Sequence, residues 1–239
     1  MKTHDMTHHA AAQLGGLAVS ESGYTLEFDG AILPAGTQPV SFRIIGPDGR
    51  PVTDFVTEHE KELHLIVVRR DTTGFQHVHP VMDAEGTWRV DVRLEPGAWR
   101  FFADIHPAAH HGSLTLGVDV SVAGPYEPEA IPAERREARV GAYTVTLDGG
   151  LAHGELAFTV RKDGETVTDL QPYLGAHGHL VALRVGDLGY LHVHPEERTG
   201  PEVAFAAHAP AGGLYRLYLD FQHDDVVRTA EFTMRAAHR

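Results

Sequence analysis

The sequence predicts an all-β protein made of two β-sandwich domains, and two observations predict it. An internal repeat with an offset of 115 residues relates Thr53-Asp54 to Thr168-Asp169 and His77-Val78-His79-Pro80 to His192-Val193-His194-Pro195. Each copy also contains seven short runs that alternate apolar and polar residues, with almost no helical periodicity. Seven strands in about a hundred residues is the count of an immunoglobulin-like sandwich, so we expect two such domains in tandem.

The strands follow one another in the same order in both copies. In the first repeat they are predicted at residues 24–28, 40–45, 63–69, 75–79, 87–94, 98–105 and 114–122, separated by turn compositions such as Gly46-Pro47-Asp48-Gly49. In the second repeat they are predicted at 143–147, 156–161, 180–185, 190–194, 203–207, 214–220 and 226–234. An aromatic residue, Trp99 or Tyr215, follows a glycine turn at the head of the penultimate long strand. In immunoglobulin-like domains an aromatic anchors that corner, which favours a sandwich over a barrel.

Composition divides the chain into four predicted segments. Residues 1–20 are small or polar and read as a flexible tail that contains His4, His8 and His9. The first repeat is predicted at 21–124 and the second at 138–239. Residues 125–137, rich in proline and acidic side chains, are the predicted linker.

Charge and cysteine content exclude several classes of function. The chain has 20 Lys and Arg against 33 Asp and Glu, a formal net charge of −13, so a nucleic-acid or anionic-membrane surface is not expected. No apolar stretch is long enough to predict a transmembrane segment. The absence of cysteine removes disulfides, thiolate metal sites and cysteine nucleophiles. With 18 histidines, any metal site must use nitrogen and oxygen ligands.

A histidine triple recurs at the same spacing in both repeats. The alternation of a β-strand puts His77 and His79 on one face, and His192 and His194 repeat that arrangement. His64 opens the preceding strand and is separated from the His77 strand by a short turn. A hairpin would therefore bring these rings together, and His179 has the same relation to the second pair.

Carboxylates complete the two predicted sites. Asp104 and Asp220 end the strand that neighbours the His64 or His179 strand in an immunoglobulin-like sheet. We predict one metal site per repeat, with ligands His64, His77, His79, Asp104 and His106 in the first and His179, His192, His194 and Asp220 in the second. Such a ligand set suits Cu(II), Zn(II) or Ni(II). The Irving–Williams order favours copper(II), with zinc as the alternative.

The histidine segments resemble those of a group of bacterial proteins. Residues 58–71, Phe75-Gln76-His77-Val78-His79-Pro80 and 173–180 are similar to segments of secreted or membrane-anchored, histidine-rich proteins, common in actinobacteria, that have paired immunoglobulin-like repeats. Related proteins are associated with heavy-metal handling, often of copper. The resemblance implies an extracytoplasmic metal-binding role. With the two predicted sites, it leads us to expect a non-catalytic protein for metal buffering, delivery or resistance. Its partners would be the ion and a metal transporter or acceptor protein.

Three other interpretations remain open from the residues alone. A histidine before proline at a strand end is also an ordinary turn residue, and a lone buried histidine is satisfied by backbone groups. His77-x-His79 with Glu85 and Pro96-Gly97 loosely matches the signature of a cupin-like metalloenzyme, although its later histidine is missing. The sandwiches could also form an adhesion or interaction module without metal. The histidines without counterparts in the other repeat are read as solvated: His59, His110, His111, His153, His208 and His238.

Overall fold

The computed structural model describes residues 14–152, 154–196 and 200–237. Every regular element in these ranges is a β-strand, as the sequence predicts. None of the described residues forms a helix of the length and apolar character needed to span a bilayer. The histidines expected in the N-terminal tail, His4, His8 and His9, lie outside the described residues.

The first repeat is a sandwich of two sheets. Its strands are β1 (Ser20–Glu21), β2 (Tyr24–Phe28), β3 (Ile32–Leu33), β4 (Gly36–Ile45), β5 (Leu63–Arg69), β6 (Gln76–Val78), β7 (Val81–Met82), β8 (Thr87–Leu94), β9 (Gly97–Ile105) and β10 (Leu114–Val122). One sheet has the order β1-β2-β4-β8-β7 and the other the order β3-β10-β9-β5-β6. Only the β3–β10 pair is parallel among the strand pairs of this repeat.

The second repeat follows the same plan. Its strands are β11 (Glu137–Val140), β12 (Tyr143–Gly150), β13 (Gly154–Lys162), β14 (Glu165–Thr166), β15 (His179–Arg184), β16 (Tyr190–Leu191), β17 (His194–Glu196), β18 (Glu202–Ala207), β19 (Gly213–His223) and β20 (Val226–Ala236). One sheet has the order β11-β12-β13-β18-β17, with β14 beside β13, and the other the order β16-β15-β19-β20.

The predicted pair of immunoglobulin-like sandwiches is confirmed, and so is the aromatic corner. The Trp99 indole Nε1 donates to the Glu95 carbonyl at 2.8 Å, and the Tyr215 hydroxyl donates to the Ala211 carbonyl at 3.0 Å. Each aromatic thus reaches back four residues to the turn before its strand, which is how such corners are held.

One predicted strand is wrong. Residues 190–194 do not form a single strand, because pairing with β15 ends at Leu191 and the chain crosses to the other sheet, where His194 pairs with Ala206. In the first repeat the equivalent strand pairs with β5 as far as Val78. The two histidine segments therefore leave their sheets at different points.

Each sandwich has its own apolar core. Phe42, Trp88 and Phe101 are buried at the centre of the first. Phe158 and Phe232 are buried at the centre of the second. Each repeat is thus a complete hydrophobic unit, as its length allows.

A third apolar cluster joins the two repeats. Ile66 and Val68 alternate with Leu65 and Val67 along β5, so the first pair faces outward and the second faces the core of the first repeat. The outward residues pack against their counterparts in the second repeat. The members of this cluster are Ile66, Val68, Phe102, Val181, Leu183, Leu188, Tyr190 and Tyr218. The two sheets that contain β5 and β15 therefore stack on each other through their outer faces.

The contacts between the repeats are reciprocal. Phe75 of the first repeat stacks on Tyr218 of the second, with ring centroids 4.1 Å apart and planes at 5°. Tyr190, the equivalent of Phe75, packs on Phe102, the equivalent of Tyr218, at 5.6 Å. Such exchange of equivalent contacts is the pattern of an isologous interface, here formed within one chain about an approximate two-fold axis.

Residues 14–20 differ from the expectation of a flexible tail. Gly15 exchanges two backbone hydrogen bonds with Tyr190 of the second repeat, at 2.8 and 2.9 Å. The next residue, Gly16, donates to the Thr115 carbonyl of the first repeat at 2.8 Å, and its own carbonyl accepts from the buried Arg100 guanidinium. This segment therefore ties the edges of both repeats together.

The predicted linker is anchored by one buried carboxylate. Asp71 accepts hydrogen bonds from Arg69 Nε at 3.0 Å, the Thr73 hydroxyl at 2.8 Å, the Glu129 backbone N–H at 3.0 Å and the Tyr126 hydroxyl at 3.2 Å. Burial alone would raise the pKa of Asp71. The hydrogen bonds from Arg69, Glu129 and Thr73 outweigh it and lower that pKa to about 2.

We expect Asp71→Asn to lower the free energy of unfolding at pH 7 by about 2 kcal/mol, because the folded pKa lies below the unfolded value of 3.8. The stabilisation is complete above the unfolded pKa and is lost as the pH falls through the folded one. Urea unfolding of wild type and variant between pH 7 and pH 2 measures the difference. A difference that stayed constant down to pH 2 would contradict this assignment.

The interface between the repeats is tested by removing one hydroxyl. Tyr218 donates to the Thr72 carbonyl across the interface at 2.6 Å. Tyr218→Phe keeps the stacking on Phe75 and leaves this buried acceptor without its partner, so we expect a loss of about 1–3 kcal/mol in the free energy of unfolding. Denaturant unfolding measures it, and an unchanged midpoint would be inconsistent with the hydrogen bond.

Candidate metal centre

Four imidazoles from both repeats meet at the interface. His64 Nδ1 lies 3.0 Å from His77 Nε2 and 3.3 Å from His79 Nε2. His179 of the second repeat places a ring nitrogen in the same group, in which the donor atoms of His64, His77 and His179 all lie within 4.8 Å of one another. We call these four residues the closed cluster.

Sheet register places His64 and His179 at equivalent positions of the two repeats. His64 pairs with Asp104 between β5 and β9, and His179 pairs with Asp220 between β15 and β19. His64 lies on the same outward face of β5 as Ile66, so it meets the second repeat. Because the sheets stack about an approximate two-fold axis, the His64 and His179 rings lie parallel, with centroids 5.3 Å apart and planes at 17°.

The interface also gives His77 a partner from the other repeat. Its Nδ1 lies 2.9 Å from Asp220 Oδ2, and both side chains are almost completely buried. The Thr229 hydroxyl donates to the other carboxylate oxygen, Oδ1, at 2.5 Å. A carboxylate held in this way fixes the ring of a ligating histidine and makes its other nitrogen more basic.

Hydrogen bonding fixes which ring nitrogens are bare. His64 Nε2 lies 3.0 Å from the Glu58 carbonyl, which can only accept, so Nε2 holds the proton and Nδ1 of the neutral ring has none. His77 donates through Nδ1 to Asp220, so its Nε2 is bare in the neutral ring. Two lone pairs therefore face each other at 3.0 Å. They repel unless a cation or an additional proton lies between them.

Two separations from His64 Nδ1 match those between neighbouring ligands of one ion. Two nitrogens bound at 2.0–2.1 Å lie about 2.9 Å apart at a right angle and about 3.3 Å apart at the tetrahedral angle. The separations from His64 Nδ1 to His77 and His79, 3.0 and 3.3 Å, fall at these two values.

Burial keeps the rings in the form that binds metal. It lowers the pKa of His64 to about 4, against the opposing hydrogen bond to Glu58. Burial, with His77 and His64 close by, lowers the pKa of His79 to about 3. Burial likewise holds the pKa of His179 well below its usual value, with His77 and His64 adding to the effect. At neutral pH these three imidazoles are uncharged and offer lone pairs.

The structure divides the predicted ligands differently from the sequence analysis. His64, His77 and His79 come together as predicted, but their carboxylate partner is Asp220 rather than Asp104. His179 joins them instead of forming a separate site in the second repeat. His192 and His194 have their rings 4.7 Å apart, and both are exposed. Asp104 faces a pocket that His192 also lines.

His106 has a different role from the one predicted. Its Nδ1 lies 2.8 Å from Glu58 Oε1, and the Ser113 hydroxyl donates to the same carboxylate. Burial would raise the pKa of Glu58, but these hydrogen bonds and the nearby imidazoles lower it. His106 therefore belongs to the wall of the pocket, next to the loop that precedes β5.

His59 is a site residue that the sequence analysis missed. It lies in a two-residue turn between Glu58 and Lys61, whose backbones exchange hydrogen bonds at 2.9 and 3.0 Å. Both turn residues, His59 and Glu60, have positive φ, at 47° and 64°, as type I′ hairpin turns require. The turn holds the His59 ring against His179, with centroids 5.3 Å apart. Without Asn or Gly at these positions, nothing in the sequence signals this turn.

The chain belongs to the family described as a domain of unknown function, DUF8832, whose model matches residues 18–123 and again 138–238. The two matches coincide with the two sandwiches. No curated protein matches the chain.

The chain is similar to several solved structures at low sequence identity. The chain is 18% identical to Salmonella alpha-2-macroglobulin, with a TM-score of 0.32, and the match covers 99% of this chain and 16% of that one. It is 11% identical to InvD of Yersinia pseudotuberculosis, with a TM-score of 0.31 and coverage of 91% and 58%. For the fibronectin(III)-like modules of Clostridium thermocellum CbhA the identity is 12%, the TM-score 0.23 and the coverage 90% and 98%. The chain thus spans less than two thirds of the first two structures.

Proposed function

We propose that the chain binds a divalent transition-metal ion in the closed cluster, between its two repeats. The observation that supports this most is the 3.0 Å approach of His64 Nδ1 to His77 Nε2, whose lone pairs repel each other when both rings are neutral, while the other ring nitrogens face the Glu58 carbonyl and the Asp220 carboxylate. A bound cation converts this repulsion into two coordinate bonds. The Asp220 carboxylate behind His77 offsets part of the ion's charge.

The donor set supports copper(II) or zinc. Four imidazoles without sulfur suit both ions, and the Irving–Williams order makes copper the tighter of the two at a permissive site. The stacking of His64 on His179 and the bond between His77 and Asp220 involve both repeats. A bound ion would therefore connect the two sandwiches.

A binding role fits the site better than a catalytic one. Catalytic zinc sites keep an open position for water or substrate, whereas structural sites are closed by protein ligands. In the closed cluster the donors of His64, His77 and His179 lie within 4.8 Å of one another, and His79 lies 3.3 Å from His64. Glu85, the acidic residue of the cupin-like pattern, lies in an exposed turn between β7 and β8. We therefore propose a non-catalytic role in metal buffering, delivery or resistance. The resemblance to secreted or membrane-anchored, copper-associated proteins supports this role and an extracytoplasmic location.

Titration of tag-free, metal-free protein with Cu(II) and Zn(II) by calorimetry tests the proposal. We expect His77→Ala to weaken the tightest binding by more than about 100-fold, since losing a ligand costs more than losing a partner behind a ligand. His111→Ala, which removes an exposed histidine, is the matched control and should bind as wild type does. Equal affinities of wild type and His77→Ala would refute the proposal.

The contribution of Asp220, which lies behind His77, to metal affinity is tested separately. Asp220→Asn keeps the volume of the side chain but removes its charge, and we expect a 10- to 100-fold loss of metal affinity, in the range of about 10–100-fold typical of such partners. Asp148→Asn, an exposed carboxylate on β12, is the control. The same affinity in both variants would mean that Asp220 does not act through His77.

A further inference from the structure

The approximate two-fold axis gives the closed cluster an equivalent position on its other side. In the closed cluster, Asp220 is held on Oδ1 by Thr229 and presents Oδ2 to His77. The equivalent carboxylate, Asp104, is held on Oδ1 by Thr115 at 3.0 Å, since Thr115 lies opposite Asp104 in the β9–β10 ladder as Thr229 lies opposite Asp220 in β19–β20. A threonine on the neighbouring strand thus fixes the Asp104 carboxylate in the same way as the Asp220 carboxylate.

A pocket lies in front of this second carboxylate. Asp104, His192 and His59 line it, together with His64 and His179 of the closed cluster. His192 is the equivalent of His77 in the repeat and approaches Asp104 from the other domain. Loss of hydration raises the pKa of Asp104, while His192 and Thr115 oppose that rise.

We propose that Asp104, His192 and His59 form a second transition-metal site, which we call the outer site. It shares the metal chemistry of the proposed function but uses a different set of donors. An aspartate with two imidazoles is an accepted ligand set for Zn(II) and Cu(II), with further positions left for water. Glu58 lies in the same pocket, but its carboxylate is engaged by His106 and Ser113.

The outer site is more open than the closed cluster. Among the described residues, only His64, His77 and His179 form a group of three donors within 4.8 Å of one another, so the outer donors must move together to hold an ion. His192 and the neighbouring His194 are exposed, whereas His77 is buried. The outer site should therefore bind more weakly and exchange its ion faster, next to the tighter position.

Tyr190 supplies a physical reason for the difference. In the closed cluster the equivalent residue is Phe75, which has no hydroxyl, and Asp220 is left for His77. Burial and hydrogen bonding with Asp104 raise the pKa of Tyr190 well above its usual value. A hydroxyl thus lies near Asp104 that the equivalent residue Phe75 cannot supply near Asp220.

Copper(II) titration of the full, tag-free chain, followed by calorimetry and by electron paramagnetic resonance, tests this proposal. We expect wild type to bind two ions per chain, the second at least tenfold more weakly, with a magnetic interaction between the ions when both positions are filled. His192→Ala and Asp104→Asn should each lose the weaker ion and keep the tighter one. His77→Ala should lose the tighter ion, and His111→Ala should retain both.

The outcomes separate the two proposals. One ion per chain, dependent on His77 and indifferent to His192 and Asp104, would overturn the outer site and leave the closed cluster standing. A weak ion that persists in both His192→Ala and Asp104→Asn would also overturn the outer site. No specific ion in wild type would overturn both sites. Thermal unfolding of each metal-free variant, including the more conservative His192→Gln, shows whether a variant that has lost an ion is still folded.

Discussion

Burial of two sheet faces against each other is the constraint on which the rest of this structure depends. β5 is buried on both sides, with Leu65 and Val67 in the core of its own sandwich and Ile66 and Val68 against the second repeat. At about 25 cal/mol per Å² of apolar surface, leaving such faces in water would be costly, so the two sandwiches dock. The docking then determines which polar side chains at the ends of these strands meet.

The histidines owe their environment to this docking. His64 and His179 each stand at the start of a strand that is buried on the interface side, so the two rings stack where the strands approach the two-fold axis. An isolated repeat would leave His64 on an open sheet face and His77 without Asp220. The site is consequently a property of the pair of repeats and not of either one.

The fold could be predicted from the sequence because its signals are local. Alternation, turn residues and the aromatic corner at Trp99 and Tyr215 are each contained in a few neighbouring residues. That the His64 strand lies beside the Asp104 strand also follows from the order of strands in such sandwiches. It could not be predicted in this way that residues of both repeats form the closed cluster, because this depends on how two folded domains pack.

A signal for that packing was nevertheless present. Residues 63–68 form a continuous apolar run interrupted only by His64, and such runs are typical of strands that are covered on both faces. A strand with one face in solvent, as the alternating pattern predicts, leaves no outer face for such an interface. The turn at His59 and Glu60 gave no comparable signal because it contains neither Asn nor Gly. The anchoring of Gly15 and Gly16 gave none because it depends on backbone hydrogen bonds to distant residues.

Two-fold packing of duplicated repeats does not produce two equal sites, and the axial histidines explain why. His64 and His179 stack on each other across the approximate two-fold axis, and both place nitrogens in the group with His77. Asp104 and His192, the equivalents of Asp220 and His77, lie outside that group and line the neighbouring pocket. His59, held by its strained turn, supplies a ring there that has no equivalent in the second repeat. Two equivalent repeats can thus supply one compact group of donors and, on the other side, the more open position that we propose as the outer site.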